Sequence, residues 1–123
     1  MERIFLAVVG LAYVILAGWC ALRPDETSKS VGYLLSPGSG QSEFLTVYGG
    51  IDLALGLAFL WPVLRSSDLS YPLFFCLLVH ACIVAFRTAG FFLYGGVGTV
   101  TYALAATEWV ILIGAATLYR RMG

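Results

Sequence analysis

Apolar residues fall into four runs of about twenty, separated by short stretches rich in glycine, proline, serine and charge. The runs predict helices over about residues 4–22, 43–64, 71–93 and 100–119. Between the first two lies the longest polar segment, Arg23 to Ser42, with Pro24 near its start and the turn-forming SPGSGQS at its end. Within it, DETSKSVGYLL opens on capping residues and finishes apolar, which predicts a short helix lying at a membrane surface. RSSDLSYP makes a tight connection. Ser70 is placed there to cap the third helix, with Pro72 in its first turn, where a missing N–H costs nothing. YGGVGT turns the chain into the fourth run, and RRMG follows it.

A chain of 123 residues folds as one domain, 1–123, and offers too little interior to bury four such runs in water. With 60% hydrophobic and 11% charged residues, the outer faces of the helices need lipid as their solvent. The expected fold is therefore all-α: an integral membrane four-helix bundle, up-down-up-down, with a short interfacial helix in the first loop. MERIFLAVVGLAYVILAGWCALRP has the outline of a secretory signal. Its apolar stretch, Ile4 to Leu22, is long enough to span, so it is expected to be the first membrane helix.

Charge sets the orientation. Arg3, Arg65, Arg120 and Arg121 fall on one side of a four-span arrangement, and Arg23 and Lys29 on the other. The excess predicts cytoplasmic termini in the plasma membrane. A formal net charge of zero and the lack of a basic tract exclude nucleic-acid binding. Cys20, Cys76 and Cys82 form no CxxC pair and no metal spacing with the single histidine, so neither metal nor cofactor is expected.

Small residues mark seams for close helix contact, within the chain or between copies: Gly10 and Ala17, then Gly49, Gly50 and Gly56, then Ala81, Ala85 and Ala89.

Five ionisable residues lie inside the predicted spans: Glu43, Asp52, His80, Arg87 and Glu108. A lone charge at membrane depth costs about 2.5–3.5 kcal/mol on insertion scales, so partners are expected. The last two spans form a hairpin centred near Val97 and Gly98. Arg87 and Glu108 are equally distant from that centre and should share a depth of roughly 10 Å, at about 1.5 Å per residue. Asp52 should lie about 13 Å down its own helix by the same rise, with Tyr48 one turn above it. His80 falls two turns below Arg87 on the same helix face. The expected arrangement is a buried Asp52, Arg87 and Glu108 cluster, with Tyr48 beside it, His80 beneath and Glu43 at the mouth. A structural reading competes: the Arg87–Glu108 pair fixes helix register, Asp52 faces a water-filled crevice, and His80 is a neutral ring bonded to a neighbouring helix.

SEFLTVYGGIDLALGLAFL, FRTAGFF and the acid of ALAATEWVI resemble a family of small bacterial four-span membrane proteins of unknown function, DoxX-like in layout. The resemblance runs along nearly the whole chain and implies polar roles for Glu43, Tyr48, Gly49, Gly50, Arg87 and Glu108. Asp52 and His80 lie outside that pattern. Gly95-Gly96 stands where members often carry Asp-Gly. The family supplies a fold and no activity.

Three functions follow as expectations. The cluster binds a small amphiphilic or anionic ligand near the external face, or the protein is a structural subunit of a homodimer or larger membrane complex. Proton-coupled transport through His80 is the third. No nucleophile–base pair or phosphate loop supports an enzyme.

Overall fold

The computed structural model describes residues 1–66 and 68–122. The regular structure of these residues is all helical, with no strand among them. Five helices follow one another: α1 (Glu2–Leu22), α2 (Pro24–Ser30), α3 (Ser39–Leu64), α4 (Ser70–Leu93) and α5 (Thr99–Met122). All but α2 are long and apolar enough to cross a membrane.

The sequence pattern locates each helix and misplaces some ends. Helix α3 begins at Ser39, inside the segment expected to be a turn. Gly38, at φ +79°, starts it, and its N–H donates to the side chain of Gln41, three residues on, at 3.2 Å. Glycine meets no Cβ penalty at that angle, so the SPGSGQS run both turns the chain and caps the helix. Helix α2 stops at Ser30, before the apolar VGYLL, and buries Thr27 and Ser28. Pro24 opens it at a position where proline suits a first turn. Ser70 does not cap α4. It is the first helical residue, and its N–H and hydroxyl donate to Asp68 at 3.0 and 2.7 Å. Pro72 sits in the first turn of α4, as expected.

Within α3, residues Leu45–Ile51 are wound as a π-helix, and they contain Tyr48-Gly49-Gly50. An α-helix advances about 100° per residue, so side chains four apart drift round the axis by about 40°. A π turn takes more residues per revolution and removes much of that drift. Phe44, Tyr48 and Asp52, each four apart, consequently line one cavity.

Packing divides the long helices into two pairs, α1 with α3 and α4 with α5. The first pair meets backbone to backbone. A Cβ built on Gly56 would stand 2.7 Å from Val14 Cγ2 and 2.9 Å from the carbonyl oxygen of Gly10. One built on Gly10 would stand 2.7 Å from Leu60 Cγ. Gly49 is buried beside Ala21, so the glycine seams on these helices are packing seams, whereas Gly50 has open space around it. Ala85 and Ala89 of the alanine seam on α4 are exposed and take no part in the packing within the chain. Gly114, which the sequence pattern did not single out, gives α5 its approach to the Phe5 ring of α1.

The two pairs join most closely near one end. Leu6, Val9, Phe59, Leu69, Leu73, Cys76, Ala115 and Leu118 form a single buried cluster there. Arg3 fastens the same end by donating to the Val63 carbonyl at 3.1 Å, where the close of α3 leaves acceptors without helical partners.

Candidate functional site

Beyond that cluster the pairs separate around a cavity of about 330 Å³. On every long helix the lining residues lie to one side of the core residues. Helix α1 lines it from Ala12 to Cys20 and packs the core with Leu6 and Val9; α3 lines it to Asp52 and packs the core with Phe59. On α4 the lining residues are His80, Ile83 and Arg87, with Leu73 and Cys76 in the core. On α5 the lining runs from Val100 to Ile111, and Ala115 and Leu118 reach the core. Helix α2 contributes Thr27 and Ser30, so the polar segment between α1 and α3 forms part of the wall.

Arg87 and Glu108 face each other across the α4–α5 pair in a two-pronged contact. Arg87 Nη2 donates to Glu108 Oε1 at 2.6 Å, and Arg87 Nε donates to Oε2. The side chains are 27% and 14% exposed, so the pair is partly screened from solvent and edges the cavity. Fork-to-carboxylate geometry of this kind is the strongest ionic contact a guanidinium makes.

Asp52 belongs to the same cavity and not to that pair. It is half-buried on the α3 wall, and the ion pairs among the described residues are Met1–Glu2, Arg23–Glu26 and Arg87–Glu108. The expected three-member contact is thus resolved into a closed pair on one wall and a carboxylate with no ionic partner on the other. Tyr48 also lines the cavity. Its hydroxyl donates to Tyr33 at 3.0 Å, and its ring stacks on Phe44 at 4.6 Å. Glu43 is exposed and does not line the cavity.

His80 is fully buried, with no exposed surface, and bridges the two helix pairs at the floor of the cavity. Its Nδ1 lies 2.8 Å from the Cys76 carbonyl oxygen. A carbonyl only accepts, so Nδ1 carries the proton, and in the neutral ring Nε2 is then an acceptor. The Tyr13 hydroxyl, 3.2 Å away, donates to it. The bond from His80 to a neighbouring helix, expected from the sequence, is the one to Tyr13 on α1. Tyr13 itself escaped the sequence reading, because a tyrosine inside an apolar run carries no signal of what its hydroxyl faces. Trp19, Cys20 and Phe44 are further lining residues that the sequence pattern did not place at the site.

Among the described residues no group of three or more histidine, cysteine, aspartate and glutamate side chains converges as a metal site. The arrangement is an aliphatic and aromatic chamber with a few fixed polar groups. Compared with family profiles, curated proteins and solved structures, the chain matches none of them.

Proposed function

We propose that this is a multi-pass membrane protein that holds a small amphiphile in the cavity between its two helix pairs. The observation that carries this reading is the separation of lining from core along all four long helices, which leaves a chamber of about 330 Å³ edged by Arg87, Glu108 and Asp52. That volume falls at the small end of ligand sites, and an apolar wall with few polar groups is their usual chemistry. A ligand at a hundredfold excess over its Kd stabilises the folded state by about 2.7 kcal/mol. Thermal unfolding in lipid nanodiscs against a panel of lipids and metabolites should therefore find compounds that raise Tm. Arg87→Ala and Glu108→Gln should diminish that rise. A panel in which no compound raises Tm overturns the reading.

In this reading the four long helices insert up-down-up-down, α2 lies at the interface, and both termini are cytoplasmic in the plasma membrane. Support comes from Arg3, Arg65, Arg120 and Arg121, which cluster at the ends of α1, α3 and α5 where the core is closed. The resemblance of the Tyr48-Gly49-Gly50, Arg87 and Glu108 positions to the DoxX-like layout points to the same arrangement.

One observation favours a second reading, assembly with another copy. Ala85 and Ala89 lie one turn apart on α4 and face outward, unused by the chain's own packing. Ala85→Leu with Ala89→Leu should lower the oligomer mass measured in mild detergent if copies meet there. A monomer before substitution counts against it.

A further inference from the structure

The cavity wall is unbalanced in charge. It holds two carboxylates, Asp52 and Glu108, against one guanidinium, Arg87. Glu108 engages two of the three guanidinium nitrogens, so the pair neutralises itself. An anion reaching for Arg87 would displace Glu108 and leave that carboxylate uncompensated in a poorly solvated place, which is costly. His80 offers an anion nothing, since both ring nitrogens are already bonded. What the wall leaves uncommitted is the carboxylate of Asp52.

The surroundings of Asp52 favour the same sign of ligand. Tyr48 lies one turn away on α3, stacked on Phe44, and the two rings share the cavity with Asp52. Aromatic faces are electron-rich and attract alkylated ammonium groups, while a nearby carboxylate supplies the net charge. The rest of the chamber is aliphatic, including Leu16, Ile83 and Leu104.

We propose that the cavity selects a cationic amphiphile, its ammonium head against Asp52 and the rings of Tyr48 and Phe44, its hydrocarbon part along the aliphatic wall. This rests on the ligand-holding reading above and specifies the charge of the ligand.

Three probes with one tail and different heads decide it: hexyltrimethylammonium, hexyl sulfate and hexanol. They are titrated calorimetrically into the protein in zwitterionic nanodiscs, with empty nanodiscs subtracted. The ammonium probe should bind at least tenfold more tightly than either of the others. Asp52→Asn should weaken it at least tenfold, and Asp52→Glu should keep most of the affinity. Preference for hexyl sulfate, equal binding of all three, or ammonium binding indifferent to Asp52→Asn overturns the charge assignment while sparing the ligand-holding reading. Silence of all three probes overturns both. Should Asp52→Asn not fold, the ranking of the probes on the unaltered protein still decides.

Discussion

Arg87 and Glu108 show what a charge needs in order to sit in an apolar helix. Each of the two contacts is a hydrogen bond between ionised groups, and such bonds contribute about 1.5–3 kcal/mol where solvent is partly excluded. Glu108→Ala leaves the guanidinium without its partner and should destabilise the protein by about that amount in detergent unfolding. Arg87→Met with Glu108→Leu removes both charges and should unfold less readily than the single variant, because no stranded ion remains. The pair was legible in the sequence because hairpin symmetry fixes depth, and depth plus opposite charge fixes partnership. Asp52 was not legible to the same degree. Depth placed it near Arg87, but only the separation of the two helix pairs reveals that it lines the far wall. A second residue-scale prediction concerns Asp68 at the start of α4. Hydrogen bonds from the Ser70 hydroxyl and N–H hold its carboxyl below the ordinary carboxylate value. The folded pKa lies below the unfolded one, so the stabilisation is complete above the unfolded value and is lost as pH falls through the folded one. Asp68→Asn should flatten the acid limb of a stability–pH curve by slightly lowering stability at neutral pH, with the acid end unchanged.

At the scale of elements, the contact between α1 and α3 depends on two missing side chains. Gly56→Ala drives a methyl into Val14 and the Gly10 carbonyl, and backbone on the far side cannot yield as a side-chain tip does. Overpacking of this kind costs about 1–3 kcal/mol. Gly18→Ala on α1, with nothing within 4 Å of the added carbon, should instead be neutral or stabilise by about 0.5–1 kcal/mol through helix propensity. The contrast can be read from paired thermal unfolding curves. Spacing alone nominated Gly10 and Gly56, and it nominated Ala85 and Ala89 equally well. Sequence periodicity says which residues share a face, not whether that face looks inward. The π segment was beyond sequence reading altogether: Tyr48-Gly49-Gly50 stood out as a motif, but the wider turn that aligns Phe44, Tyr48 and Asp52 leaves no periodic trace over seven residues.

For the whole molecule, the four long helices were plain from hydropathy, since runs of that length have few other uses. The division into a sealed half and a hollow half was not, because it depends on how four faces meet. Phe59 is fully buried in the sealed half, and Phe59→Ala should cost roughly 3–4 kcal/mol. Leu104→Ala, on the cavity wall, should cost much less, since its neighbour on one side is already empty space. The arrangement of the spans is open to labelling in cells. With Cys82 changed to alanine, a cysteine at Ser36 should react with an impermeant maleimide from outside, and one at Ser66 should react only after lysis. The reverse pattern would invert the orientation. The plug formed by Leu6, Phe59, Leu73 and Leu118 has a further consequence. A vessel with a stopper at its base fills and empties by one route, so any occupant must leave the way it came. Passage to the opposite side would require the stopper itself to part.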